Sequence, residues 1–248
     1  MKTSIFVWAP LAAVLLSACT TPVKKDPVEN AQTQSQKPFA STYQVPASSA
    51  TLIQSATVLT GDGQQLDQTD VLVIDGKISR IGKNLPSDSA KNIVDGRGKW
   101  LTPGLIDVHS HMGVYPAPET ANHADGNEMT SPVTAEVWAE HSVWPQDPQY
   151  EKALAGGITT FQVLPGSANL FGGRGVTLKN VASVTVQGMK FPDAPHSLKM
   201  ACGENPKRVY GGQGRPPQTR MGNVAGFRNA WIDAVEYRKA WDDFEQGK

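Results

Sequence analysis

His109 and His111 stand two positions apart in the run Leu105-Ile106-Asp107-Val108-His109-Ser110-His111. The run alternates as a strand does, so Asp107, His109 and His111 are expected on one face and Ile106, Val108 and Ser110 on the other. Two imidazoles on one strand face can reach a single cation, which takes neutral ring nitrogens at about 2.0–2.1 Å. Asp107, one step deeper on that face, is placed to orient an imidazole as an outer carboxylate. A bare His-x-His also occurs as two solvent-facing or hydrogen-bonded histidines, so the surrounding elements decide what it does.

Those elements begin at residue 51. Short β-branched runs alternate with three Asp-Gly steps, Asp62-Gly63, Asp75-Gly76 and Asp95-Gly96. Asp-Gly after an apolar run is a hairpin signal, and the spacing predicts three or four short antiparallel strands between residues 51 and 100. A unit this small is marginal alone and must pack on something larger. Pro103-Gly104 breaks it off before the histidine strand.

The run Pro103-Gly104-Leu105-Ile106-Asp107-Val108-His109-Ser110-His111, preceded by this Asp-Gly-punctuated β unit, resembles the start of amidohydrolase-superfamily enzymes. The resemblance covers residues 51–248. It implies an α/β fold in which the two histidines end the first strand of a (β/α)8 TIM barrel and bind a catalytic divalent metal, commonly zinc. The β unit, residues 51–103, is then the N-terminal part of a flanking β-sandwich, and residues 104–248 are the N-terminal part of the barrel. The implied reaction is attack of a metal-activated water on a carbon–nitrogen bond of a small-molecule substrate: an amide, a cyclic amide or an amidine.

Beyond the motif, residues 112–150 show little periodicity and read as a long loop over the barrel mouth, where such folds build active sites. His123 and His141 lie in it, either near substrate or simply exposed. Tyr150 to Ala155 fits a short helix stopped by Gly156-Gly157, and Ile158 to Leu164 a second barrel strand. Gly166 to Gly175 reads as a glycine-rich loop whose amides could hold an anionic group. Val176 to Lys179 and Val181 to Val186 fit one or two further strands. The segment from Ser197 to Arg208 resembles one in secreted amidohydrolases related to imidazolonepropionases. Leu198 to Ala201 reads there as a strand, and Gly203-Glu204-Asn205-Pro206 as its exit loop. Some family members use a carboxylated lysine or a glutamate as an additional metal ligand, which makes Lys199 and Glu204 the candidates. The alternatives for both are salt-bridge or loop-anchoring roles. Cys202 reads as a small apolar residue. From Met221 to Gln246 the pattern is helical, with Phe227, Trp231, Val235, Trp241 and Phe244 near one face, expected to pack in the core.

The N-terminus carries an address. Lys2 precedes an apolar stretch from Ile5 to Leu16, the length of a signal-peptide core and short for a membrane span. It ends in Leu16-Ser17-Ala18-Cys19, which resembles a bacterial lipobox; the alternative is an ordinary signal peptide with a chance cysteine. Residues 1–19 are thus expected as a lipoprotein signal with Cys19 lipidated. Thr20, rather than Asp, implies an outer-membrane lipoprotein facing the periplasm. Residues 20–50, rich in Thr, Pro, Gln, Ser and Lys, read as a disordered linker; the alternative is a pro-segment or an arm packed on the domain.

The chain has 248 residues and a formal net charge of zero, which excludes a dedicated nucleic-acid binder. Its two cysteines support no disulfide framework. The stretch from Gly104 to Lys248 is shorter than the about 250 residues of a complete barrel. The resemblance implies later ligands and an acid/base aspartate beyond residue 248, so the chain is expected to be a truncated form that alone is inactive, or to be completed by a C-terminal chain or by homo-oligomerisation. Two rival readings stay open: a non-catalytic lipoprotein scaffold or interaction module, and a deaminase or dipeptidase branch of the same superfamily.

Overall fold

The structure is a computed structural model that describes residues 39–248, of which Ala40–Lys248 cluster as one compact unit. The expected signal peptide, Cys19 and most of the expected linker lie outside the described residues. Residues 41–43, at the end of that linker, pack on the folded part. Ser41 Oγ donates to the Lys190 carbonyl at 2.8 Å, and the Thr42 N–H donates to the Gln187 carbonyl at 3.0 Å.

The first sheet holds β1 (Thr51–Leu59), β2 (Gln65–Ile74), β3 (Lys77–Gly82), β4 (Asn92–Asp95) and β5 (Trp100–Leu101). β1, β2 and β3 form the antiparallel meander that the Asp-Gly steps predict. β4 and β5 depart from it, since both pair with β1 in parallel. The chain crosses over between β3 and β4 instead of turning back, and Ile78, Ile81, Ile93, Val94 and Trp100 remain exposed. Inside, Ala56, Val58 and Val71 form a small core. A register shift in β1 accompanies Ser55, at φ 57°. The buried Asp70 carboxylate secures it, accepting from the Ser55 N–H at 2.8 Å and the Leu85 N–H at 2.9 Å.

The second sheet has the order β6 (Leu105–Ser110), β7 (Ile158–Val163), β8 (Phe171–Lys179), β9 (Ser197–Met200). β6 and β7 are parallel, with α1 (Gln149–Ala155) leading into β7. β8 then returns antiparallel to β7, and β9 antiparallel to β8. The expected glycine-rich loop is therefore largely strand: Gly172, Gly173 and Gly175 belong to β8. Close approach explains their type, because a Cβ on Gly175 would stand 2.6 Å from both Ser197 Oγ and Leu164 Cδ2. Val181 to Val186 forms no strand; a 3-10 turn occupies Val186–Gly188.

Residues 112–148 do not hang over the sheet as a free loop. Val114, Ala139 and Val143 enter the main core with Tyr150, Phe161, Val163, Val176, Leu178 and Met189. The segment has little regular structure yet is anchored by polar groups. Asp147 accepts from the Gly113 N–H at 2.8 Å, and the buried Glu140 pairs with Lys190. Such satisfied buried groups fix an irregular segment where a ladder would otherwise do so.

Two helices follow. α2 (Glu204–Gly211) starts where an exit loop was expected, and α3 (Arg220–Glu245) is capped by Thr219 Oγ1, which accepts from the Gly222 N–H at 3.1 Å. The aromatic stripe of α3 is core packing only at its start. Phe227 and Trp231 meet Phe171 edge-on, with centroids at 5.4 and 5.6 Å, whereas Trp231, Val235 and Phe244 are each more than half exposed. No helix among the described residues is long and apolar enough to cross a membrane.

Phe161 is fully buried and stacks on Tyr150 at 5.2 Å, on the strand that holds β6 in place. Phe161→Ala is expected to destabilise the fold by about 3–5 kcal/mol, read as a lowered urea midpoint with an unchanged slope.

Candidate metal centre

Strand pairing carries both histidines to the end of β6. Asp107 pairs with Phe161 and Ser110 with Val163, so β6 has one residue more than β7 between these points. That bulge breaks the strict alternation: Ser110 is buried while Ile106 and Val108 are exposed, although one face was expected for all three. The two rings nevertheless converge, with centroids 5.3 Å apart and planes at 84°.

Each ring is held by a different group. His111 Nδ1 lies 2.8 Å from the Leu164 carbonyl. A carbonyl only accepts, so Nδ1 carries a proton, and in the neutral ring this tautomer leaves the lone pair on Nε2. His109 Nε2 lies 3.2 Å from Lys199 Nζ, which comes from β9 and is buried. The ammonium beside it holds the His109 pKa below the usual imidazole value; burial and His111 act in the same direction, and Asp107 opposes them. Burial likewise lowers the Lys199 pKa.

The remaining expected site residues fall elsewhere. Asp107 does not orient a ring; its Oδ1 accepts from the His109 backbone N–H at 3.0 Å. A carboxylate capping the amide two residues on is a local turn device, and here it stabilises the bulge. Glu204 opens α2, is exposed and pairs with Lys207 at 3.1 Å. A helix N-terminus favours that acid locally. His123 packs against Trp144 with centroids 4.8 Å apart and planes tilted by 40°, and His141 lies 3.7 Å from Glu140. Cys202 is exposed, not a core residue. Among the described residues no three His, Cys, Asp or Glu side chains gather at one point, so Lys199 is the group that joins the pair.

Sequence reasoning missed three contributors. Leu164 acts through its carbonyl, which no residue type signals. Tyr115 lies edge-on to His111 at 5.9 Å, and Asn127 Nδ2 donates to the Tyr115 hydroxyl. Only the distance of Tyr115 from His111, about one helical turn, hinted at its part.

No family model matches the chain. An amidohydrolase, tasK, of Hapsidospora irregularis is 35% identical over 187 residues, which is 71% of this chain and 19% of that protein. A 5-methylthioadenosine/S-adenosylhomocysteine deaminase of Thermococcus sibiricus is 29% identical over 101 residues, 41% of this chain and 22% of its own. The crystal structure of an amidohydrolase from Thermotoga maritima superposes with a TM-score of 0.70 at 42% identity, over 77% of this chain and 49% of that one. The chain belongs to the amidohydrolase superfamily. It spans about a fifth of each of the two curated relatives and about half of the Thermotoga amidohydrolase.

In this amidohydrolase-superfamily chain, Lys199 governs the charge of His109, and that is measurable without metal. In a pH titration of the metal-free chain by NMR, the His109 ring is expected to titrate below the ordinary 6.5. Lys199→Met should move it upward. The sign for stability follows: an imidazole with a depressed folded-state pKa favours folding above 6.5, and that contribution is lost as pH falls through the folded-state value. An unmoved His109 midpoint in Lys199→Met would refute the assignment.

Proposed function

We propose that this chain carries the metal-binding strand of a hydrolase that cleaves carbon–nitrogen bonds in amides, cyclic amides or amidines, with His109 and His111 holding a divalent ion, zinc by preference. One observation supports this most directly. His111 commits its Nδ1 proton to the Leu164 carbonyl, the tautomer that offers Nε2 as the ligating atom of a neutral ring, with its ring 5.3 Å from that of His109. A backbone carbonyl on the far ring nitrogen is the partner that metal-ligating histidines use.

The donor set fits such an ion. Two neutral imidazoles suit zinc, and a third group stands 3.2 Å from one of them. The lowered Lys199 pKa brings its neutral amine closer to physiological pH than that of a surface lysine. The neutral amine can add to carbon dioxide, giving a carbamate and releasing one proton. The resemblance to family members with a carboxylated lysine makes Lys199, not Glu204, the residue for that role. A bound ion supplies Lewis acidity toward a carbonyl and acidifies a coordinated water. The chain's own residues set the geometry: Leu164 fixes the ring of His111, β9 places Lys199 beside His109, and Asp107 secures the bulge that carries His109.

The proposed frame is a (β/α)8 barrel beginning at β6, with β1–β5 as part of a β-sandwich. The parallel β6–β7 pair and α1 between them support it. Cys19, in its Leu16-Ser17-Ala18-Cys19 run, supports export and a lipid anchor in the outer membrane. A second reading, deamination at an amidine carbon with release of ammonia, is favoured by the similarity to the Thermococcus deaminase.

The purified chain is expected to hold about one zinc ion per site of this type. His109→Ala and His111→Ala should each weaken zinc binding by roughly a hundredfold or more, since even outer-shell changes cost ~10–100-fold. A wild-type chain that retains no zinc would favour the non-catalytic scaffold instead. For the anchor, a radiolabelled fatty acid should be incorporated in the wild type and not in Cys19→Ala. Equal labelling of both would remove the lipoprotein assignment.

A further inference from the structure

Beside the histidine pair, at the edge of the main core, Tyr115 and Asn127 form a polar wall. The Tyr115 N–H donates to the His111 carbonyl at 3.0 Å, so the tyrosine is tied to the backbone that bears the ligand. Its ring meets the His111 ring edge-on at 5.9 Å. The ring lies against Gly126, where a Cβ would come within 2.2 Å of two ring carbons. Any side chain there would push the phenol away.

Asn127 sets the polarity of this wall. Its Oδ1 accepts from the Ala168 N–H at 3.1 Å. A backbone N–H only donates, so the atom facing it must be the amide oxygen, and Nδ2 must face Tyr115. The Tyr115 hydroxyl is consequently an acceptor toward Asn127. Its own hydrogen finds no acceptor among the described residues, although the group is only partly exposed. A phenol whose lone pair is occupied and whose proton is unused is a donor awaiting an acceptor.

We propose that Tyr115 donates this proton to a carbonyl oxygen of the substrate seated against His111, and that Asn127 is the positioning residue that keeps the phenol a donor. The inference rests on the metal-hydrolase reading and adds a substrate requirement to it: an acceptor oxygen beside the reacting carbon–nitrogen bond. A phenol held as a donor binds a carbonyl whose oxygen gains charge during attack, which is the condition under which a fixed donor contributes most. Asn127 also ties the residues after β7, through Ala168, to the turn after β6. The wall therefore moves with the two strands that carry the metal centre.

Two variants separate this role from packing. Tyr115→Phe keeps the ring and its contact with His111 and removes only the hydroxyl. Asn127→Asp keeps the acceptor for the Ala168 N–H but faces the phenol with a second acceptor, which takes up its proton. The probe is acetohydroxamic acid, a small carbonyl ligand of zinc, titrated into the zinc-loaded full chain. Both variants are expected to bind zinc as the wild type does and to bind the probe about tenfold more weakly, the worth of one neutral hydrogen bond. Ultraviolet resonance Raman spectra, taken as the difference from Tyr115→Phe, should show an acceptor phenol in the wild type and a donor phenol in Asn127→Asp. Probe binding unchanged in Tyr115→Phe overturns the inference and leaves the metal-hydrolase reading intact. A wild-type chain that binds zinc but not the probe does the same. Absence of zinc binding in the wild type overturns both.

Discussion

A single peptide group, that of Leu164, ties the ends of two strands together, and the placement of the histidine pair depends on it. Its N–H donates to the Ser110 carbonyl at 2.9 Å, continuing the β6–β7 ladder past the bulge. Its carbonyl accepts from His111 Nδ1 at 2.8 Å, on the residue next to Ser110. One amide thus sets both the separation of the strands and the tautomer of the ring. Because both bonds are made by backbone, they depend on strand register and not on the Leu164 side chain. Register is in turn fixed by the buried faces of Phe161 and Val163, which cannot slip by one residue without turning to the other face. The chemistry of His111 is therefore built on core packing.

How far the sequence revealed this depends on which forces act locally. Strand β6, the parallel step to β7, α1 and the long last helix were legible, because apolar periodicity and glycine stops are short-range signals. The convergence of the two rings was legible from their spacing alone, though by a different route: a bulge, not strict alternation, delivers them. The parallel pairing of β4 and β5 with β1 was not legible, since it depends on a crossover whose direction no local residue encodes. Nor was the strand character of Gly172 to Gly175. There the glycines serve the close approach of neighbouring chain, with Val137 on one side and Ser197 on the other. From composition alone such a run is indistinguishable from a loop.

The apolar groups that remain exposed are as informative as the core. Leu105, Ile106 and Val108 lie along β6, at one end of the second sheet's strand order, each more than half exposed. On α3, Trp231, Ile232, Val235 and Phe244 are exposed in the same way. Each such side chain gains about 1.5–3 kcal/mol when fully buried, so these faces favour association with any complementary apolar surface. The strand that bears the histidines thus has one well-packed side, toward β7, and one with little packing. The fixed side holds His111 through Leu164, while His109, on the bulge, relies on Lys199 from across the sheet.

That reliance explains why Lys199 joins the site and Glu204 does not, although they lie only five positions apart. Lys199 is on β9, whose pairing with β8 is set by ladder hydrogen bonds and by the close approach at Gly175. Its side chain is directed inward along with the strand's buried face, and the charge it brings is tolerable because the neighbouring imidazole offers a lone pair. Glu204 begins α2, where unpaired backbone N–H groups and Lys207 one turn on both attract its carboxylate outward. A strand residue is aimed by its ladder, whereas a residue at a helix start is drawn to the helix. For a site that needs a third group within reach of two rings, the strand position is the one that delivers it. The cost is a buried cation beside a histidine, and that burial and proximity lower the pKa values of both Lys199 and His109.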